Sequence, residues 1–240
     1  MKITIISDIH ANLAALDALP KRDYDQLWCL GDLIDYGPKP REVIRQIRNK
    51  ATITVRGNHD HAVGFNVAPQ CSPPFKRLAD ETREFTQHVC MPDEMNYLRN
   101  LPIQKEVAID GMSFYLVHAM PTNPLFGYCP KDSEQWENEL DWVQADVLVV
   151  GHTHMPFVRM IGKKMILNPG SLGQPKTGRA LACYAVWEDG EISLKEYEYP
   201  IADTVDGIRS MPISQDVQDG LIAVLRTGAL PSRQHSSATV

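Results

Sequence analysis

An α/β fold is expected from three features of this 240-residue sequence. Short apolar runs end abruptly in polar residues, helix-like stretches separate the first three runs, and turn dipeptides gather in the second half. The runs at 2–6, 26–30, 52–55, 112–117 and 146–150 are rich in Ile, Val, Leu or aromatics and read as strands. Between the first three lie helical stretches at 12–19 and, after Pro40, at 41–50. This β-α-β-α-β order predicts parallel strands with right-handed crossovers, which place functional loops at the strands' carboxyl ends. The middle is helical: Leu78, Phe85 and Val89 follow the helical period over 76–89, and 93–99 reads as a shorter helix after Pro92. Hairpin turns are expected at Asp110-Gly111, Gly162-Lys163 and Asp189-Gly190, giving a second, more antiparallel sheet. A last helix spans 214–226, so 1–228 forms one domain and 229–240, small and polar, a flexible tail.

Composition narrows the function classes. With 43% hydrophobic and 22% charged residues, the chain can build a sizeable core. No apolar run approaches the roughly 18 residues that span a bilayer, so no membrane partner is expected. Five scattered cysteines without a C-x-x-C pair predict neither a disulfide framework nor a zinc ribbon, and a cytoplasmic setting fits. A net charge of -6 argues against gripping extended nucleic acid, which needs clustered Lys and Arg. A homo-oligomer, most simply a dimer, is the expectation for a soluble enzyme.

The residues that follow the strands carry the chemistry. They are Ser7-Asp8-Ile9-His10, Gly31-Asp32-Leu33-Ile34-Asp35, Arg56-Gly57-Asn58-His59-Asp60, His118-Ala119 and Gly151-His152-Thr153-His154. One parallel-sheet edge would bring the five loops together, and so many ionisable groups in one cleft call for a cation. Carboxylate and imidazole suit two divalent transition-metal ions, manganese first, with Fe, Zn, Ni or Co as alternatives; no motif contains the Cys of a thiolate site. D-x-H is expected to set two ligands on one side of an extended strand end. A carboxylate such as Asp32 can bridge two cations ~3.5–4 Å apart. The glycines before Asp32, Asn58 and His152 permit tight turns.

The ordered set D-x-H, G-D-x-x-D, G-N-H-D, H and G-H-x-H, spread over about residues 1–200, resembles the calcineurin-like metallophosphoesterase superfamily, particularly its small bacterial and archaeal phosphodiesterase branch. The resemblance implies a four-layer α/β/β/α sandwich of two mixed sheets. It also implies one metal held by Asp8, His10, Asp32 and His154 and another by Asp32, Asn58, His118 and His152. His59 is then not a ligand but a proton donor to the leaving group, oriented by Asp35. A metal-bridging hydroxide would attack phosphorus in line.

The chain departs from the superfamily's protein phosphatases, which carry Arg where it has Tyr36. That difference favours small diesters over phosphoproteins. Lys39, Arg41, Arg56, Lys176 and Arg179 are candidates for a substitute charge or else solvated residues; Arg56, beside the motif, leads, and Tyr36 joins it as a candidate substrate contact. The 121–130 segment is a substrate wall, a subunit contact or a loop packed on the core. Asn168-Pro169-Gly170-Ser171 is expected to form a tight turn bordering the cleft. Acidic residues at 134–139, with Glu81 and Glu84, are expected on solvated helix faces. Competing functions are a non-catalytic metal-binding scaffold of the same fold, a phosphomonoesterase or protein phosphatase, and a nuclease.

Overall fold

A computed structural model of the chain describes residues 1–20 and 24–230. The parallel start takes form as β1 (Lys2–Ile6), α1 (Leu13–Ala18), β2 (Gln26–Cys29), α2 (Pro40–Lys50) and β3 (Ile53–Thr54). Asn12 caps α1 by accepting from the Ala15 amide. Pro40 opens α2, where its missing N–H would have had no helical partner, and Val43, Ile44 and Ile47 form that helix's buried face. Then come α3 (Asn58–Phe65), a 3₁₀ turn (Pro73–Phe75), α4 (Lys76–Val89) and α5 (Pro92–Asn100). The second half contains β4 (Gln104–Ile109), β5 (Met112–Val117), α6 (Gln135–Leu140), β6 (Val147–Val149), β7 (Phe157–Ile161), β8 (Lys164–Asn168), β9 (Ala182–Glu188) and β10 (Glu191–Tyr197). It closes with α7 (Ile201–Arg209) and α8 (Gln215–Thr227), the latter ended by left-handed Gly228. Of the tail expected at 229–240, residues 231–240 lie outside the described residues.

Two five-stranded sheets result, ordered β10-β9-β1-β2-β3 and β4-β5-β6-β8-β7. The second is no more antiparallel than the first: β5, β6 and β8 run parallel, with antiparallel β4 and β7 at the edges. The turn at 189–190 forms a hairpin, yet its strands join the first sheet, where Ala185 of β9 pairs with Ile5. A turn dipeptide fixes local pairing; burial of β9 on both faces decides which sheet receives it.

Alternation along the strands separates three apolar layers. Ile3, Ile5, Trp28 and Leu30 meet Phe114, Leu116, Val147 and Val149 between the sheets. Ile6, Leu27 and Cys29 face outward onto Leu16, Ile44 and Ile47 of the helices. On the far side Tyr115, Val117, Leu148 and Val150 pack on Trp136 and Leu140 of α6. The architecture is the expected α/β/β/α sandwich. Phe114 sits at its centre, edge-on to Trp28 at 5.2 Å and Trp187 at 5.0 Å. Phe114→Ala should therefore cost about 3–5 kcal/mol in urea unfolding; a loss below about 1 kcal/mol would mean that the sheets do not depend on this contact.

Helices α4, α7 and α8 form a side cluster of Leu78, Val205, Ile208, Leu221 and Leu225 that packs on Tyr36. The acidic stretch at 134–139 is not wholly solvated: Glu139 is buried and accepts from the Thr122 amide at 3.0 Å and its hydroxyl at 2.7 Å. It thereby ties the 121–130 loop to α6. Glu81 likewise accepts from the Ser214 amide, joining α4 to the start of α8. Among the described residues no helix is long and apolar enough to cross a membrane.

Candidate metal centre

The loops after β1, β2, β3, β5 and β6 meet at one end of the sandwich. Backbone bonds from the amides of Asp8, His10 and Ala11 to the carbonyls of Gly31, Asp32 and Leu33 join the first two loops. The second sheet is tied in by the His152 amide, which donates to Asp8 Oδ2 at 3.1 Å, and by the Leu172 amide, which donates to the Ser7 carbonyl at 2.9 Å. Asn168 Nδ2 donates to the Gly151 carbonyl and Ser171 Oγ to the Asp8 carbonyl, so the 168–171 turn borders this end. Gly31, at φ +92, lies against the Gly57 backbone, and a side chain at Gly151 would strike Ser7 Oγ and Asp8 Oδ2. At these two positions glycine lets loops approach one another.

Asp8 and His10 do not converge through an extended pleat. Their φ angles are +53° and +49°, and Asp32, Asp35, Tyr36, His152 and His154 are also left-handed. The extended arrangement expected for D-x-H is therefore replaced by a tightly curled loop. Asp and His tolerate the left-handed region better than bulky apolar residues do, but the conformation needs support. Asp60 supplies much of it: its carboxylate accepts from the amides of Asp32 (2.9 Å), Leu33 (2.9 Å) and Gly57 (3.0 Å).

Ring orientation reveals what the cluster is built to hold. His10 Nδ1 lies 3.0 Å from the Ile34 carbonyl, His118 Nδ1 2.7 Å from that of Leu30 and His154 Nδ1 2.7 Å from that of Gln174. A carbonyl only accepts, so each Nδ1 carries hydrogen and Nε2 turns inward. The Nε2 atoms of His10 and His154 face each other at 3.3 Å. Burial, the leading cause, holds both rings well below the ordinary histidine range, so two lone pairs oppose one another. Asp8 Oδ1, 3.3 Å from His154 Nε2, is buried without a hydrogen-bond donor. Asn58 donates from Nδ2 to the Pro69 carbonyl at 2.7 Å, directing its Oδ1 towards His118 Nε2 (3.1 Å) and His152 Nδ1 (3.0 Å).

Two groups of potential cation ligands emerge, Asp8–His10–His154 and Asp32–His118–His152. Asp32 Oδ2 lies between them, 3.8 Å from His10 Nε2 and 3.3 Å from His118 Nε2. Burial raises Asp32, but His118 and His59 outweigh it and keep the carboxyl well below its usual range. Burial also opposes charge on His118, yet Asp32 prevails and lifts the ring to about 9. The Asp8 carboxyl is pushed up by burial to about 6, and His152 down by burial to about 3. Facing lone pairs, an orphaned carboxylate oxygen and a proton drawn in at His118 fit a pocket made for divalent cations.

His59 stands apart from the two groups. Its Nδ1 lies 2.8 Å from Asp35 Oδ2, and although burial opposes the cation, Asp32 and Asp35 raise the ring above its ordinary value. His59 lines a cavity of about 200 Å³ with Asp32, Tyr36, Asn58, His152 and His154. Phe75, Phe126, Tyr128 and Lys176 also line it, and Gln70, Cys71 and Ser72 complete the wall. Thus the 121–130 loop borders the cavity. Arg56 does not line it: Nη1 donates to the Arg99 carbonyl at 2.7 Å and the guanidinium lies over Phe65. Proximity to a motif in sequence does not equal proximity to its cavity, because the Arg56 side chain turns onto the end of α5 and onto Phe65 of α3. Lys176, whose Gln-Pro-Lys context gives no recognisable signal, reaches the cavity instead.

Fold and donor set together define a protein equipped to hold divalent cations. The sequence profile of the calcineurin-like phosphoesterase superfamily domain matches residues 1–189, and the chain belongs to that superfamily, a class of phosphoric ester hydrolases. It is 31% identical over 233 residues to the uncharacterized protein MJ0912 of Methanocaldococcus jannaschii, covering 86% of this chain and 91% of that one. Similarity to the phosphodiesterase YfcE of Escherichia coli is 28% over 211 residues, covering 81% and 91%. The crystal structure of a metallophosphoesterase from Sphaerobacter thermophilus superposes with a TM-score of 0.82 at 30% identity, covering 95% of this chain and 99% of its own.

Proposed function

We propose that this chain is a dinuclear metal-dependent phosphodiesterase acting on small phosphoesters. The observation that carries the reading is the convergence of lone-pair donors from five loops on two adjoining groups, with Asp32 between them. In this assignment one cation takes Asp8, His10, Asp32 and His154; the other takes Asp32, Asn58, His118 and His152. When bound, the pair would make water acidic enough to attack phosphorus at neutral pH and would offset charge on the phosphoryl oxygens. His59 holds a proton for the departing oxygen, and Asp35, bonded to Nδ1, fixes the ring and favours its cation. Tyr36 packs edge-on to His10 at 4.7 Å and forms cavity wall beside His59.

A diester is supported by the similarity to a named phosphodiesterase. A small substrate is supported by the cavity's size and by its single lysine among the described lining residues, which offers no basic track for a strand. Manganese leads the candidate metals because the donors are carboxylate, amide and imidazole. Five unpaired cysteines support a cytoplasmic setting. The test is an assay of chelator-stripped protein with bis(4-nitrophenyl) phosphate while manganese is returned. Hydrolysis should appear as two ions bind per chain. Stoichiometric metal uptake with no hydrolysis would favour a non-catalytic scaffold.

A further inference from the structure

The cavity contains a cation that the proposed reaction does not use. Lys176 shares the wall with Asp32, His59 and His154, and its Nζ lies 4.5 Å over the Phe75 ring. Phe75 in turn packs against Tyr36, with ring centroids 6.4 Å apart, so the lysine stem has a braced support. Among the described residues Nζ has no hydrogen bond or ion pair; the charges acting on it are the more distant carboxylates of Asp8 and Asp32. The other candidate cations are engaged elsewhere: Arg41 with Glu94, Arg56 with the Arg99 carbonyl and Arg179 with Glu196. Lys39 is exposed at the start of α2.

An unpaired ammonium in a part-buried cavity needs an anion. Asp8 and Asp32 provide distant compensation only while their charge is not taken by cations. Burial already lowers the ammonium to about 8, against the pull of those two carboxylates. With cations at Asp8 and Asp32, the remaining unmet partner in this wall is negative charge from a ligand.

We propose that Lys176 is a specificity-determining residue that binds a second negative charge beside the scissile phosphorus, making doubly anionic phosphoesters the preferred substrates. The inference rests on the phosphoesterase reading of the same site. That charge has two chemical sources: an adjoining phosphate, which leaves the scissile group a diester, or an unesterified oxygen on the scissile phosphate itself, which would make the substrate a monoester and replace the diester part of the proposed function. In both cases a lysine acts as a point charge on phosphoryl oxygen.

The test compares kcat/KM of the metal-loaded protein for bis(4-nitrophenyl) phosphate, 4-nitrophenyl phosphate and a dinucleoside triphosphate. Lys176→Met should reduce the ratio of a doubly charged substrate to the singly charged diester by about 10–100-fold, the worth of a charged hydrogen bond. Lys176→Arg, which keeps the charge, should preserve most of the ratio. A fall confined to 4-nitrophenyl phosphate assigns the charge to the scissile group, and one confined to the triphosphate assigns it to the neighbour; either supports the proposal. Equal losses on all three substrates indicate a merely structural lysine and overturn it, as does an unchanged ratio. Should Lys176→Met not fold, Lys176→Gln decides: its preference for binding inorganic phosphate over dimethyl phosphate, read by calorimetry on the metal-loaded protein, should shrink relative to the wild type, and an unchanged preference overturns the proposal. A wild-type protein inert towards all three substrates removes the phosphoesterase reading as well, whereas an active one with an unaltered ratio removes this inference alone.

Discussion

Asp32→Ala should abolish hydrolysis and empty both cation positions together. Its Oδ2 is the oxygen that faces His10 Nε2 and His118 Nε2, while Oδ1 accepts from the His59 amide at 2.9 Å. Alanine removes the donor that the proposed assignment shares between the two groups and loosens the segment carrying His59. Loss of a supporting partner to a ligand costs about 10–100-fold in metal affinity, and loss of a shared ligand should exceed that. Elemental analysis after dialysis provides the check. If the variant retains two ions per chain and near-normal turnover, Asp32 is not shared and the dinuclear assignment fails.

His59→Ala should have the opposite signature. Turnover should drop by about 10²–10⁴-fold, the usual contribution of a positioned acid, while metal content stays constant. The His59 ring contacts Asp35 and lies edge-on to His10, 5.1 Å between centroids, but belongs to neither cation group. Metal loss in the variant would instead make His59 a ligand. The drop should also shrink for an ester with a strongly acidic phenol as leaving group, which departs without a proton. Equal effects on acidic and poor leaving groups would argue against proton donation.

Much of this organisation was legible because strand endings and chemistry coincide. The runs at 2–6 and 112–117 became β1 and β5 with unchanged bounds, and the polar residues after each run begin the loops that meet at the cavity. The identity of the donors is written in side-chain type. Their approach is not: Asp8 and His10 converge through left-handed backbone, a conformation enforced by contacts with Gly31, Asp32 and Leu33 far along the chain. Helix α3 was hidden because its first residues read as a motif and its hydrophobic pattern is weak. Helix α7 is short, and Val205 and Ile208 have meaning only beside α8 and Tyr36. For the same reason Arg56 looked better placed than Lys176. Adjacency in sequence was visible, whereas the fold that swings residue 176 over Phe75 was not.

The left-handed loops also bear on the life of the protein outside any assay. Each non-glycine residue held at positive φ costs on the order of 1 kcal/mol, and Asp8, His10, Asp32, Asp35, His152 and His154 all do so around opposed lone pairs. A ligand that binds only this assembled arrangement stabilises the whole chain by mass action. Heat tolerance and resistance to proteolysis should consequently track the concentration of free divalent ions in the surroundings, with starvation for metal thinning the population of intact molecules before chemistry itself becomes limiting.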